Sequence, residues 1–136
     1  VGEVSDEAKK LIEVTKQAFF EGIKYAKKGN RLGDISCAIG TYVRENGFDV
    51  IKEFQGHGIG REMHEDPGIP NYGKAGRGIR LEPGMTLAIE PMVVAGSAEI
   101  CEGDDGWSIW TLDESLSAHY ENTILITEKE PEILTL

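Results

Sequence analysis

The order of the hydrophobic patterns along the 136 residues predicts an α+β fold, in which two helices pack on an antiparallel β-sheet. Two observations support this prediction. Apolar residues recur at helical spacing up to residue 47, and they alternate with a period of two in short runs beyond it. The length and the 40% hydrophobic share suit one globular domain, so we expect residues 1–136 to form a single domain.

The first predicted helix starts after Ser5, a favoured N-cap residue, and continues to Lys28 before Gly29 and Asn30 stop it. Its inner face is predicted to contain the apolar residues that recur at i, i+3 and i+4 spacing: Ala8, Leu11, Ile12, Ala18, Phe19, Ile23 and Ala26. Asp34 is expected to cap a second helix, which ends at Gly47. The inner face of this helix is predicted to contain Ile35, Ala38, Ile39, Tyr42 and Val43.

Four short runs rich in β-branched and aromatic residues predict strands, at residues 50–54, 85–89, 108–111 and 123–127. Residues 65–78 contain Pro67, Pro70 and four glycines, which are unusual inside regular elements. We expect this segment to be an ordered surface loop. The chain begins with residues 1–4 of sequence VGEV, a pattern typical of the end of a strand, and we therefore expect a fragment of a longer domain.

Acidic residues outnumber basic ones by 24 to 14, which gives a formal charge of −10. This charge repels phosphate backbones and anionic lipids, so we expect neither nucleic acid nor membrane as a partner. Residues 1–10 lack the basic start and apolar stretch of a signal peptide. We expect a soluble, cytoplasmic protein in which Cys37 and Cys101 are free thiols.

His57 lies among Gly56, Gly58 and Gly60, which permit close approach of a ligand to the backbone. Two interpretations are open: His57 binds a ligand, or its ring is satisfied by backbone carbonyls in a turn. Glu90 and Glu121 each interrupt or precede an otherwise apolar strand. A carboxylate buried there is costly unless it is paired in a salt bridge or binds a cation.

His57, Glu90 and Glu121 together favour the cation, because imidazole and carboxylate ligands suit Mn, Fe(II), Co or Zn. Bridging glutamates further favour two ions that share a water. The segment DDGW at residues 104–107 admits either a weak cation site or a turn with Trp107 packed against the core, and the turn is the commoner outcome.

Four motifs carry a family resemblance: GHGIGREMHEDP at 56–67, LEPGMTLAIEPMV at 81–93, DGW at 105–107 and HYENTILIT at 119–127. In order and spacing they resemble the C-terminal half of a type I, bacterial-type methionine aminopeptidase. The resemblance implies half of a pita-bread fold and a metal-dependent hydrolase that removes the initiator methionine from nascent proteins. It also implies two divalent metal ions in the complete enzyme, held by two Asp, one His and two Glu.

By this resemblance the metal ligands are His57, Glu90 and Glu121, and Glu90 also transfers a proton in catalysis. His64 corresponds to a catalytic histidine that hydrogen-bonds the substrate peptide. Met63 and Trp107 correspond to residues that line the pocket for the methionine side chain. The substrate is then the N-terminal methionine of a peptide or nascent protein, and the ribosome is a further candidate partner.

The two Asp ligands of the family have no counterpart, because Asp6, Asp34 and Asp49 lie in helix starts or turns without the flanking pattern. We therefore expect at most one weak metal site in this chain and little or no turnover by it alone. The expected partner is the missing N-terminal half, or a second copy in a homodimer. Association would cover apolar residues around Ile89 and Ile124 that we expect to face water.

Two alternatives remain from the sequence. Aminopeptidase P and prolidase share the His and Glu motifs, but their last Glu lies in an arginine-containing strand motif rather than in YENT. The second alternative is a pita-bread protein that binds a partner without catalysis. Metal content and turnover of a Met-Ala-Ser type peptide distinguish it from an enzyme.

Overall fold

A computed structural model describes residues 2–136 and shows two helices followed by ten short strands. The helices are α1 (Asp6–Ile23) and α2 (Leu32–Glu45). The strands are β1 (Asp49–Val50), β2 (Gly56–Gly58), β3 (Glu65–Ile69), β4 (Thr86–Ile89), β5 (Met92–Val94), β6 (Ile100–Glu102), β7 (Ile109–Thr111), β8 (Ser117–His119), β9 (Asn122–Leu125) and β10 (Glu132–Ile133). The α+β fold is confirmed. The predicted strand end at residues 1–4 is not found, since residues 2–4 are outside any strand and Val1 lies outside the described residues.

Helix α1 begins as predicted, because the Ser5 hydroxyl accepts a hydrogen bond from the Ala8 amide at 3.1 Å. Its predicted end at Lys28 is wrong. The helix stops at Ile23, and a tighter turn follows in which the Ala26 amide bonds to the Ile23 carbonyl at 3.0 Å. Ala26 is nevertheless fully buried, so buried apolar residues continue at helical spacing beyond the end of the helix. Ile12 was wrongly placed on the inner face, since it is 55% exposed.

Helix α2 begins three residues earlier than predicted, since Arg31 rather than Asp34 is its N-cap residue. Asp34 does not occupy the N-cap. Its carboxylate reaches back from the third helical residue and accepts a hydrogen bond from the Arg31 amide at 2.7 Å. Gly47 follows the helix with a φ of 86°, a conformation that favours glycine. The inner face is confirmed in its main positions, which are fully buried: Ile35, Ile39 and Val43.

The strands form a five-stranded sheet of order β10-β9-β4-β2-β3, a three-stranded sheet of order β1-β5-β8, and the hairpin β6-β7. Strands β4, β7 and β9 confirm three of the four predicted strands. The strand predicted at residues 50–54 is wrong. The observed strand β1 covers only Asp49–Val50, and it pairs with β5 alone through these two residues. Strands β2, β5, β6, β8 and β10 have only two or three residues each, too few to give a clear period of two, and the sequence did not reveal them.

The prediction that residues 65–78 hold no regular element is also wrong, because β3 occupies their start. Strand β3 is the outer strand of its sheet, and its pairing with β2 is irregular after His57. Pro67 lies in this irregular stretch. An edge strand tolerates proline because the missing N–H group leaves no sheet partner unsatisfied.

One antiparallel ladder runs through both larger sheets. Ala88 on β4 pairs with Thr123 on β9, and Met92 on β5 pairs with His119 on β8 in the same register. Between them, the Tyr120 amide donates to the Pro91 carbonyl at 3.2 Å. One face of the ladder packs against the helices and belongs to the hydrophobic core, through Leu87, Ile89, Val93, Tyr120 and Ile124.

Ile89 and Ile124 are therefore fully buried within the chain itself. The expectation that they face water is wrong, because α1 and α2 already cover this face of the ladder. These two residues therefore offer a homodimer no apolar surface to cover.

Two isoleucines test the assignment of the buried helix faces. Ile39→Ala on α2 removes a fully buried side chain, so we expect the free energy of unfolding to fall by about 2–5 kcal/mol. Ile12→Ala on α1 is the matched control, and its effect should be below about 0.5 kcal/mol because Ile12 is exposed. Urea denaturation followed by circular dichroism gives both values. Equal losses in the two variants would contradict the described packing.

Candidate metal centre

Glu90 and Glu121 lie opposite each other in the middle of the ladder. Glu90 is in the link between β4 and β5, and Glu121 is in the link between β8 and β9. Because Ala88 pairs with Thr123 and Met92 with His119, the register places the two glutamates side by side. Successive side chains of an extended chain point to opposite faces. The neighbours of the glutamates enter the core, and the carboxylates project from the opposite face.

His57 comes to the same place from β2, where it pairs with Ala88. Its Nε2 atom lies 3.4 Å from Oε1 of Glu90, and both side chains are only 15% exposed. Its Nδ1 atom lies 2.8 Å from the Gly58 carbonyl oxygen. Since a carbonyl only accepts, the Nδ1 atom carries the proton in this bond, and a neutral ring directs the lone pair of Nε2 at Glu90.

A lone pair that faces a carboxylate oxygen can share a cation with it. The ligand atoms of His57, Glu90 and Glu121, one from each residue, all lie within 4.8 Å of one another. Within residues 2–136 this is the one group of at least three His, Cys, Asp or Glu side chains with such spacing. Imidazole nitrogen and carboxylate oxygen suit Mn, Fe, Co or Zn, so the three residues present fit a divalent metal ion.

The glycines beside His57 have a role that the sequence did not indicate. A Cβ atom on Gly56 would collide with the Ala88 carbonyl oxygen, and one on Gly58 would collide with the Asp66 carbonyl oxygen. Both glycines therefore admit the backbones of neighbouring strands. The sequence interpretation assigned this space to a ligand, whereas the described residues fill it with protein.

His119 is a site residue that sequence reasoning missed. Its Nε2 atom lies 3.3 Å from Oε2 of Glu90 and 3.7 Å from Oε2 of Glu121. The hydrogen bond to Glu90 raises the pKa of His119 above its usual value, partial burial opposes this, and the charges of both glutamates add to it. The spacing His-x-Glu in an extended segment was the available signal, because residues two apart share a face.

Asn71 is the second residue that was missed, since it falls in the segment predicted as a surface loop. It is 1% exposed, and its Nδ2 atom donates to the main-chain carbonyl of Glu90 at 2.9 Å. This hydrogen bond ties the link between β4 and β5 to the segment that follows β3. The backbone of Glu90 is thereby held from outside the ladder.

The structure places the three predicted substrate-binding residues differently. The ring of His64 packs edge-on against that of His57, with centroids 4.4 Å apart. The side chains of Met63 and Trp107 are 70% and 86% exposed. The structure brings His64 to the candidate centre, and a role of Met63 and Trp107 in a methionine pocket stays a prediction.

The DDGW segment forms a turn, as the commoner interpretation held, but Trp107 does not pack against the core. The Asp105 carboxylate accepts hydrogen bonds from the Ser108 hydroxyl and from the amides of Ser108 and Trp107, at 2.6, 2.8 and 3.0 Å. The bonds from Ser108 are the main cause that lowers the pKa of Asp105 to about 2. These donors use the Asp105 carboxylate within the turn, and the side chain of Trp107 lies exposed on its surface.

Two of the three aspartates that sequence reasoning rejected as ligands accept hydrogen bonds from nearby amides. Asp34 accepts hydrogen bonds from the amides of Arg31 and Gly76. Asp49 accepts one from the amide of Val50. Neither belongs to the group around His57, which leaves three candidate ligands in residues 2–136.

No helix in the part of the chain that the structure describes is both long and apolar enough to cross a membrane.

Comparisons with known proteins agree with the geometry. The profile of metallopeptidase family M24 matches residues 1–128, and the chain therefore belongs to this family. The methionine aminopeptidase of Clostridium perfringens is 57% identical over 136 residues, which are 100% of this chain and 55% of that protein. The crystal structure of methionine aminopeptidase from Thermotoga maritima is 52% identical with a TM-score of 0.97, covering 99% of this chain and 54% of that one.

The resemblance to methionine aminopeptidases is confirmed, and with it the pita-bread fold that M24 enzymes share. Prolidase from Pyrococcus furiosus has the same fold, with a TM-score of 0.76 over 100% of this chain and 34% of that one, but it is only 25% identical. The chain is thus far more similar to methionine aminopeptidases than to this prolidase. It spans about half the length of the curated relatives it matches.

Proposed function

We propose that this chain is the C-terminal half of a methionine aminopeptidase catalytic domain, with residues 1–136 as its single domain. The observation that carries the proposal is the convergence of His57, Glu90 and Glu121 at the middle of the ladder. High identity to methionine aminopeptidases over the whole chain supports it. The complete enzyme then removes the N-terminal methionine from peptides and nascent proteins.

In this proposal His57, Glu90 and Glu121 hold divalent metal ions, with Co, Mn, Fe or Zn as the candidates and two ions in the complete enzyme. When bound, such ions lower the pKa of water and polarise the carbonyl group that is attacked. Because this chain supplies three ligands within residues 2–136, it binds at most one ion, and weakly.

The chain's own residues then orient the substrate and move protons. The Glu90 carboxylate accepts a proton from the attacking water and delivers it to the leaving amine. His64, beside His57, hydrogen-bonds the substrate peptide. Met63 and Trp107 contact the methionine side chain once a further part of the protein covers their exposed surfaces. The ribosome as a partner and the cytoplasm as the location stay predictions.

The second candidate is a binding module without catalysis. The observation in its favour is the same ligand count, since three ligands hold an ion less tightly than a full set. In that case a partner, either the missing half or a second copy, binds to the site face of the ladder without turnover. Metal binding and peptide cleavage distinguish the two candidates.

Equilibrium dialysis of the chain against Co²⁺ or Mn²⁺ tests the metal centre. We expect at most one weakly held ion per chain and its loss in His57→Ala, because only two carboxylates then remain. Asp105→Asn is the control, since its carboxylate is used within its turn. Two tightly bound ions, or binding that depends on Asp105, would contradict the proposal.

Catalysis is tested by supplying the missing half of a close relative as a separate chain or by fusion. With a Met-Ala-Ser peptide, Glu90→Gln should lower turnover by about 10²–10⁴-fold, because the amide cannot accept the proton. His64→Ala should lower turnover without loss of metal, since its role is to orient the peptide. Full activity of Glu90→Gln would exclude the proton-transfer role, and loss of metal in His64→Ala would make His64 a ligand.

A further inference from the structure

We propose that His119 is a positioning residue for Glu90: it donates a hydrogen bond from Nε2 to Oε2 of that carboxylate, and so directs Oε1 towards His57. This inference rests on the proposed metal centre and assigns to it a residue outside the three candidate ligands.

The side chain of His119 points away from the hydrophobic core. Tyr120, the next residue, turns inward, with its ring 5.5 Å from that of Phe19 and 6.2 Å from that of Phe20. In an extended segment the residues on either side then point the other way. Packing of Tyr120 against α1 therefore places His119 and Glu121 together on the site face.

The register between β5 and β8 places His119 diagonally opposite Glu90. His119 pairs with Met92, which is two residues beyond Glu90 on the adjacent strand. Diagonal neighbours at this distance lie within reach of a long side chain. The result is the 3.3 Å separation between Nε2 of His119 and Oε2 of Glu90.

The two oxygens of the Glu90 carboxylate have different imidazole neighbours. Each oxygen of Glu90 faces an imidazole, Oε1 that of His57 and Oε2 that of His119. The Nδ1 proton of His57 is bonded to the Gly58 carbonyl. In this tautomer a neutral His57 turns a lone pair, not a proton, towards Oε1. His119 lies within hydrogen-bond distance of Oε2 and can donate to it from Nε2, as the charged ring or as the neutral tautomer that carries its proton there.

This arrangement matches a general feature of metal sites. Carboxylates that ligate a metal are themselves held by hydrogen bonds, and loss of such an outer partner typically lowers metal affinity about 10- to 100-fold. The bond from Asn71 holds the main chain of Glu90 but leaves its side chain free to rotate. His119 supplies the constraint on the carboxylate itself.

The test is titration of the 136-residue chain with Co²⁺, followed by the visible absorption of the bound ion. His119→Leu removes the donor and should weaken binding about 10- to 100-fold. His119→Gln keeps an N–H donor near the position of Nε2 and should restore both the affinity and the native spectrum. Asp105→Asn is the control, since the Asp105 carboxylate is held within its own turn, away from the group around His57.

Native affinity in His119→Leu would overturn the proposal, as would an equal loss in Asp105→Asn. Failure of His119→Gln to restore the spectrum would make His119 a metal ligand instead and would equally overturn a positioning role. A lower thermal midpoint at native affinity would reveal a structural residue. Absence of Co²⁺ binding by the unaltered chain would overturn the metal centre itself, an outcome distinct from the others.

Discussion

The shared register of the β4-β9 and β5-β8 pairs is the constraint on which the candidate centre depends. The face of this ladder that carries Ile89 and Ile124 is fully buried against the helices. A slip by one residue would turn those side chains to solvent and Glu90 into the core. Burial of an unpaired carboxylate costs several kcal/mol, and exposure of the isoleucines adds to this cost. Packing on the core face therefore fixes the carboxylates on the other face.

The remaining site contacts are built on that ladder. Gly56 and Gly58 let β2 lie close to its neighbours, which brings His57 to the glutamates. The buried amide of Asn71 holds the Glu90 main chain, and the aromatic packing of Tyr120 orients the segment that carries Glu121. Groups from four separate segments thus converge, and the helices contribute through the core without supplying a candidate ligand.

The sequence predicted the parts that depend on local pattern. Alternation around Leu87 and Ile89 indicated a strand, and Glu90 was visible as a carboxylate inside an apolar run. The exposed position of Ile12 could not be predicted, because the spacing of apolar residues does not show which residues at the two edges of the apolar stripe are buried. The roles of His119 and Asn71 depend on the register between distant segments, which no local pattern encodes. Proline in β3 concealed a strand that is permitted only because it lies at an edge.

The central claim is that the ladder places His57, Glu90 and Glu121 around one cation. Crystals of the chain soaked in Mn²⁺ and measured at the manganese absorption edge test it most directly. The account predicts one anomalous peak, within bonding distance of Nε2 of His57 and of one oxygen from each glutamate. A peak elsewhere, for example at the Asp105 turn, with none between His57 and the glutamates, would contradict it.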